Sequence, residues 1–319
     1  MSNFTRNFGI EMEFAGISKS ESCEALRAAG IPAEMEGYNH IDHHDDVWKI
    51  VTDASVRGGH EVVSPILHGA EGLEIAKRAA KALEAAGATI NTTCGLHVHF
   101  DAANLSTEEL RTICKRYARH EEEIDSFMPA SRRGNANTYC ESVRSLFLNN
   151  RAFDRATTKI KLVESIHSRY YKVNLQAYAR HHTIEFRQHS GSVDAEKIAN
   201  WVLFLNAFID ESIARAYGEA CTFSLENLQP RQRTLIELLS GDGKTSEELQ
   251  SELGLLPHSL RGALSHLRKR GVVIVSNREN GTTTYRLGGE VHSGADSLFA
   301  GVDEAIATFY KERAARFAA

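Results

Sequence analysis

Two glutamates alternate with apolar residues in the segment 9–14, which reads GIEMEF. In a β-strand, this spacing places Glu11 and Glu13 on one face, about 7 Å apart, and the apolar residues on the other face. Paired carboxylates of this kind can hold divalent metal ions at a polar cavity. A single pair is more often a solvated strand face, so the choice between the two interpretations depends on the rest of the chain.

The same alternation of ionisable and apolar residues recurs later in the sequence. His97 and His99 alternate with apolar residues in one segment, and Glu185 and Arg187 do so in another. Glu61 adds a carboxylate in a further apolar segment. Four such strands in one sheet would form a charged wall, which costs too much unless metals, phosphates or substrate neutralise it. The pattern therefore favours a site for metal ions and phosphate.

Periodicity and end signals predict the strands and helices that must position these residues. The predicted strands are 9–14, 48–51, 60–64, 88–91, 96–100, 170–175 and 182–189, and the predicted helices are 20–29, 69–86, 106–126 and 194–217. A hairpin after residue 51 brings Asp53 near Glu61. In the last strand, alternation predicts that Glu185, Arg187 and His189 share one face.

Several motifs occur in an order that resembles a known enzyme family. They are GIEMEF, DASV followed by HEVVSPIL, CGLHVHF, YYKVNL and HTIEFRQHSGS, within residues 5–220. The chain resembles the amidoligase family, which is similar to glutamine synthetase and the glutamate–cysteine ligases. This resemblance implies an α+β fold in which a curved antiparallel sheet of the glutamine-synthetase type, flanked by helices, surrounds an ATP site.

The resemblance also implies that the E-x-E glutamates, the later glutamate, a histidine of H-x-H and the glutamate of E-x-R are metal ligands. The two expected ligand sets are Glu11, Glu185 and one of His97 or His99 for one ion, and Glu13, Asp53 and Glu61 for the other. Mg²⁺ prefers carboxylate oxygens, and a histidine ligand suits Mn²⁺ as well.

These residues agree with the chemistry of an ATP-dependent carboxylate–amine ligase. ATP can convert a carboxylate into an acyl phosphate, which an amine then attacks, so the expected partners are small molecules or peptides that carry these groups. Arg187 suits the transferred phosphate, because a guanidinium binds two oxygens at once. Asn174 is expected to contact substrate or nucleotide. Glu185 and Arg187 could instead form only a buried ion pair, and Asn174 could serve only as a hydrogen-bonding residue at a strand end.

Two other enzyme classes share some of these features. A phosphotransferase of the same architecture would use the same residues without forming an amide. A metallohydrolase could also carry H-x-H on a strand, but E-x-E and E-x-R are not expected in that class.

Residues 229–288 differ in character from residues 1–225, which are expected to form the catalytic domain. The segment 229–287 holds nine Lys/Arg against six Asp/Glu, whereas the whole chain has a net charge of −5. Three predicted helices and a hairpin with an Asn-Gly turn follow the order of a winged helix-turn-helix, and the segment also resembles a small bacterial domain. A predicted helix at 295–319 could pack back on the catalytic domain.

Cations of this segment could contact nucleic-acid phosphates. The candidates are His258, Arg261, Arg268, Lys269 and Arg278. A DNA-binding regulator with a ligase-like sensing domain is therefore an alternative function for the chain, and a protein partner is an alternative to nucleic acid.

Bulk properties predict a cytoplasmic protein without a membrane partner. The five cysteines are scattered and form no C-x-x-C pair, which is typical of a reducing compartment. No apolar run approaches the roughly 18 residues that span a membrane, and the first residues lack a secretory pattern. The His/Asp-rich segment 40–46 could bind metal but is more often solvated, and Cys140 is expected to be an incidental thiol.

Overall fold

The computed structural model of the protein describes residues 4–37, 46–218, 230–239, 244–269, 274–279, 282–287 and 296–318. The chain divides into two compact units. The first comprises Met1–Asp210 and Ser297–Ala319, and the second comprises Glu211–Asp296, so the second unit lies within the sequence of the first.

The strands and helices are numbered along the chain. The strands are β1 (Asn7–Ala15), β2 (Ala33–Met35), β3 (Trp48–Val51), β4 (Gly59–Val63), β5 (Leu67–His68), β6 (Gly95–Asp101), β7 (Val173–Asn174), β8 (Thr183–Ser190), β9 (Lys244–Thr245), β10 (Ile274–Glu279) and β11 (Thr282–Leu287). The helices are α1 (Lys19–Ala28), α2 (Gly69–Ala85), α3 (Thr107–Ser126), α4 (Arg144–Leu148), α5 (Arg151–Arg155), α6 (Lys159–Glu164), α7 (Ala177–His181), α8 (Ala195–Gly218), α9 (Pro230–Leu239), α10 (Ser246–Leu253), α11 (Pro257–Lys269) and α12 (Glu304–Ala318).

Most of the predicted elements are confirmed, and three are wrong in extent. The segment 88–91 forms only an isolated bridge from Thr89 to Ala15 instead of a strand. The strand predicted at 170–175 is reduced to β7, because Tyr171 pairs with Glu141 instead of continuing along β8. The C-terminal helix begins at Glu304 instead of 295, since Gly301 adopts a left-handed backbone with φ of 72° before it.

The sheet of the first unit is mixed, so the expectation of a purely antiparallel sheet is wrong. Its strand order is β2-β3-β4-β1-β6-β8-β7, and β5 also pairs with β1. The pairs are antiparallel except for β2 and β3, which run parallel. The connection 36–47 between these two strands has the length of about a dozen residues that a parallel crossover requires.

One face of this sheet is apolar and covered by helices. Ile10, Met12 and Phe14 on β1 are at most 1% exposed, which confirms the predicted alternation. α3 packs on this face, with Tyr117 5.5 Å from Phe186 between ring centroids. Because these helices fill the apolar side, the polar side chains of the same strands are left on the opposite face.

The second unit contains α9, β9, α10, α11 and the hairpin β10–β11, in a three-stranded sheet of order β10-β11-β9. The predicted apolar stripe of α11 is confirmed, since Leu260, Leu264 and Leu267 are buried in a core shared with α9 and α10. The predicted Asn-Gly turn at 280–281 lies outside the described residues. Within the described part of the chain, no helix combines the length and apolar character needed to span a bilayer.

Candidate metal centre

Strand register brings the predicted carboxylates and imidazoles together on the polar face of the first sheet. Glu11 is the cross-strand partner of His97, and Glu13 is the partner of Glu61. Directly paired residues of antiparallel strands point to the same face, with Cβ atoms about 5 Å apart. The polar face therefore carries a row of ionisable side chains that continues from one strand to the next.

Glu11, His99 and Glu185 form one group of potential metal ligands, with one donor atom of each within 4.8 Å of the others. The His99 Nε2 lies 3.2 Å from Glu11 Oε1 and 3.8 Å from Glu185 Oε1. On its other side, His99 Nδ1 lies 3.0 Å from Thr183 Oγ1, a contact that orients the ring towards the carboxylates. Thr183 has no predicted role, although its position two residues before Glu185 could have indicated one.

Glu13, Asp53 and Glu61 form a second group with donor atoms within 4.8 Å of one another. Glu13 and Glu61 are 3% and 6% exposed. Asp53 Oδ1 accepts hydrogen bonds from the backbone N–H and the hydroxyl of Ser55, at 2.6 and 2.7 Å. This local turn holds the Asp53 carboxylate in a fixed position beside the two buried glutamates.

His97 lies between these two groups. Its Nδ1 is 2.9 Å from Glu11 Oε2 and 3.7 Å from Glu185 Oε1, and its Nε2 is 3.6 Å from Glu13 Oε1. Together with Glu11 and Glu61 it forms a third group of potential ligands. The geometry thus brings both histidines of H-x-H to the centre, where the sequence left one of the two unassigned.

Gly95 supports the centre in a way that the sequence patterns do not reveal. Its backbone N–H donates to Glu13 Oε2 at 2.6 Å. A Cβ atom at this position would lie 2.8 Å from His97 Nε2 and 3.3 Å from Glu13 Oε2. Any side chain would therefore displace His97, so the glycine that precedes the H-x-H segment is part of the site.

The electrostatic environment differs between Glu61, which lies among other carboxylates, and Glu11, which lies beside both histidines. Burial, followed by three neighbouring carboxylates, raises the pKa of Glu61 well above its ordinary value. Burial also acts to raise the pKa of Glu11, but the nearby His99 and His97 outweigh it and hold that pKa well below its ordinary value. A divalent cation among these carboxylates would offset both the burial and the mutual repulsion.

A family model described as "Putative amidoligase enzyme" matches residues 5–209. The match spans more than half of the chain and includes all residues of the three ligand groups. The chain belongs to this family. The resemblance read from the motifs is thereby confirmed, and membership indicates an enzyme of the ligase type. No curated protein matches the chain.

Two further predicted residues of this amidoligase, Arg187 and Asn174, both contact Glu185. Arg187 Nη1 donates to Glu185 Oε1 at 2.5 Å, and Asn174 Nδ2 donates to Glu185 Oε2 at 2.6 Å. The ion pair that the sequence offered as an alternative is therefore present. Arg187 Nε is buried and has no hydrogen-bond partner among the described residues, so the ion pair does not use all of the guanidinium.

The predicted alternation of the amidoligase strand β8 ends before His189. The register between β6 and β8 shifts between Leu96 and Val98, so that an extra residue of β8 faces His97. His189 consequently pairs with Leu96, and its ring lies 5.2 Å from that of Trp201 in the core. The prediction that His189 lies on the charged face is therefore wrong, because a β-bulge reverses the side on which later residues point.

Of the other candidate residues, those that the structure describes lie outside the three groups of potential ligands. Cys140 is buried, and burial raises the pKa of its thiol, which agrees with an incidental cysteine. The segment 40–45 lies outside the described residues, and its metal role stays a prediction. His258 and Arg261 are exposed on α11 of the second unit. The predicted nucleic-acid residues whose side chains fall outside the described part are Arg268, Lys269 and Arg278.

Proposed function

We propose that this amidoligase is an ATP-dependent enzyme that joins a carboxylate to an amine through an acyl phosphate. One observation carries the proposal: Glu11 and Glu61 each belong to two of the three ligand groups, which links neighbouring cation positions in one row. Arg187 contacts the carboxylate at one end of this row. Adjacent cations beside an arginine are suited to the charge of a nucleotide polyphosphate.

The donor set fits Mg²⁺ or Mn²⁺, because carboxylate oxygens suit both ions and imidazole suits Mn²⁺. The residues that would hold the ions are Glu11, His99 and Glu185 for one and Glu13, Asp53 and Glu61 for the other, with His97 between them. Bound there, the ions would neutralise phosphate charge close to the reacting groups.

The proposed reaction has two steps. A carboxylate oxygen of the acid attacks the γ-phosphorus of ATP, and ADP leaves. The amine nitrogen then attacks the acyl carbon, phosphate leaves and the nitrogen loses a proton, which gives the amide, ADP and phosphate. Arg187 would bind the transferred phosphoryl group through donors that Glu185 does not use, while Asn174 holds Glu185 in place and contacts substrate or nucleotide.

The test measures ATP turnover in the presence of Mg²⁺ or Mn²⁺ with pools of amino acids, polyamines and peptides. Hydroxylamine in the assay traps an acyl phosphate as a hydroxamate. Free phosphate together with hydroxamate supports the ligase. Transfer of the γ-phosphate to a stable product would support a phosphotransferase instead, and the absence of metal-dependent turnover with every pool would contradict the proposal.

Nucleic-acid binding by the second unit is a separate candidate function. The order α9, β9, α10, α11, β10 and β11, with β9 paired to β11, supports a winged-helix assignment. His258 and Arg261 lie on the exposed side of α11, where cations can reach phosphates. The other nucleic-acid contacts in this proposal are Arg268, Lys269 and Arg278.

Fluorescence anisotropy with a DNA duplex of mixed sequence tests nucleic-acid binding by the second unit. The measurement is made at about 50 mM and about 200 mM salt. We expect binding that weakens at the higher salt and in Arg261→Ala. No binding at the lower salt contradicts this function and favours a protein partner for the unit. Tight DNA binding without ATP turnover would instead support a regulator with a ligand-sensing domain.

A further inference from the structure

An exposed aromatic and cationic surface lies at the β7 edge of the first sheet. We call it the tyrosine ledge, and it consists of Tyr139, Arg169 and Tyr170. Tyr139 is 47% exposed, and its ring meets that of Tyr170 edge to face, with centroids 5.3 Å apart. The Arg169 guanidinium carbon lies 5.2 Å from the Tyr170 ring centre, and its Nη2 donates to the Tyr170 hydroxyl at 3.4 Å. Aromatic rings and a guanidinium in this arrangement can stack on a planar group and bind an anion.

The tyrosine ledge is held by backbone hydrogen bonds between two chain segments. Glu141 N–H donates to Tyr170 O at 2.8 Å, and Lys172 N–H donates to Glu141 O at 2.9 Å. The backbone N–H of Tyr139 also donates to Asn137 Oδ1 at 2.8 Å. Because both segments are fixed in this way, the ledge is preorganised and would lose little entropy on binding a ligand.

The same two segments contact the backbone of Arg187. Arg187 N–H donates to Lys172 O at 2.8 Å, and the Cys140 thiol lies 3.6 Å from Arg187 O. The electrostatic environment agrees with this proximity. The pKa of Arg169 is raised, first by its hydrogen bond to Tyr170 and also by Glu185, while the Arg187 charge opposes the rise. The guanidinium groups of Arg187 and Arg169 therefore lie one after the other between the metal centre and the ledge. Two positive charges in this order are complementary to the successive negative charges of a polyphosphate.

We infer that the tyrosine ledge binds the nucleoside end of the nucleotide. The base would lie against Tyr139, and Arg169 would bind the phosphates next to those held at Arg187. This inference rests on the proposed function. The nucleotide would run across the sheet from the metal centre towards β7. The acid and the amine would then approach from the opposite side, where β4 and β3 lie. A planar base is favoured over other groups because every base has a face that can stack on an aromatic side chain.

The test compares two probes by calorimetry on the full chain with Mg²⁺. One probe is a non-hydrolysable ATP analogue, and the other is inorganic tripolyphosphate, which lacks the nucleoside. We expect Tyr139→Ala to weaken binding of the analogue about tenfold and to leave tripolyphosphate unchanged, since one base stack accounts for an effect of this size. Arg169→Gln should weaken both probes, and Tyr139→Phe should bind the analogue like the wild type.

Two surface variants serve as matched controls. Phe317→Ala removes another exposed aromatic ring with a guanidinium above it, since Arg313 lies 5.3 Å from the ring centre. Arg151→Gln removes an exposed arginine at the start of α5. Both controls should bind the two probes like the wild type. If Tyr139→Ala or Arg169→Gln binds the analogue within twofold of the wild type, the inference is overturned. If the wild type binds neither probe, the proposed function fails and the inference fails with it.

Discussion

Glu13 and Glu61 are direct cross-strand partners, and both side chains are almost completely buried. Like charges directly opposite each other destabilise a sheet, and burial adds to the cost. Asp53 belongs to the same group and increases the negative charge. These carboxylates therefore lower the stability of the protein when no cation is bound beside them. Such a cost is expected at a site that binds a cation.

Replacing one of the two facing carboxylates should therefore stabilise the protein without metal. We expect Glu61→Gln to raise the unfolding temperature in EDTA by about 2–4 °C, the change for about 1 kcal/mol in a domain of this size. The same variant should lose most of the stabilisation that Mn²⁺ gives the wild type. Calorimetry with and without Mn²⁺ measures both effects. A variant that is less stable in EDTA but is still stabilised by Mn²⁺ would contradict this account of the pair.

Glu13→Gln tests the same group through activity. The amide oxygen of glutamine can still accept the Gly95 N–H, so the unfolding temperature without metal should stay within a few degrees of the wild type. Metal-dependent ATP turnover should be abolished, because a neutral amide is a poor ligand for Mg²⁺. Glu34→Gln is the control, since Glu34 is an exposed glutamate on β2. Turnover retained in Glu13→Gln would rule out the metal assignment.

The role of His99 as a metal ligand can be tested by a Mn²⁺ titration followed by electron paramagnetic resonance. His99 reaches Glu11 and Glu185, whereas His97 lies between the groups. We expect His99→Gln to weaken one of two bound Mn²⁺ ions at least tenfold, the size of effect seen when ligand shells are perturbed. His167→Gln, at an exposed histidine, should leave the titration unchanged. An unchanged titration in His99→Gln would exclude His99 as a ligand.

Much of the centre could be predicted because alternation in a strand depends only on local sequence. The period of two in 9–14 and 96–100 identifies which side chains share a face, and the structure brings both expected ligand sets together in space. Their binding of ions stays a prediction. The capping boxes at Ser106 and Thr245 were also predictable, since their partners are three residues away.

The features that sequence patterns missed depend on contacts between distant segments. The bulge opposite His97 arises from the register between β6 and β8, and it moves His189 into the core. The hydrogen bond from Gly95 to Glu13 joins residues that are 82 positions apart. The parallel pairing of β2 with β3 is likewise a property of the chain path and not of either strand alone.

The buried position of His189 predicts a dependence of stability on pH. Burial lowers the pKa of His189 to about 3, against about 6.5 in an unfolded chain. Below pH 6.5 the unfolded state therefore binds a proton that the native state does not, and stability falls as the pH drops from 6.5 towards 3. At pH 5.5 this contribution lowers the free energy of unfolding by about 1.4 kcal/mol relative to pH 7.5.

Urea unfolding at pH 7.5, 6.5 and 5.5 measures this contribution when the wild type is compared with His189→Gln. The variant is expected to be less stable at pH 7.5, because the substitution disturbs the core near Trp201. Its stability should nevertheless fall less steeply between pH 6.5 and 5.5. Other buried groups, such as His60 with a pKa of about 4, contribute equally to both proteins. Identical slopes would show that His189 titrates normally.

Residues 229–288 of the second unit should be dispensable for turnover, because Arg187 and all residues of the ligand groups lie within the family match at 5–209. We expect the replacement of residues 229–288 by a short Gly-Ser linker to leave metal-dependent ATP turnover within about twofold of the wild type. A folded replacement variant without turnover would mean that the second unit shapes the active site.

The C-terminal segment should behave in the opposite way, because it is part of the first unit. The Tyr310 ring lies 4.6 Å from that of Phe127, and Arg313 Nε donates to Phe127 O at 2.7 Å. Removing residues 297–319 exposes this cluster at the end of α3, so we expect loss of folded protein at 37 °C. Circular dichroism and thermal unfolding of the truncated chain test this expectation. A truncated chain that is as stable as the wild type would show that the contacts of Tyr310 contribute nothing to the catalytic unit.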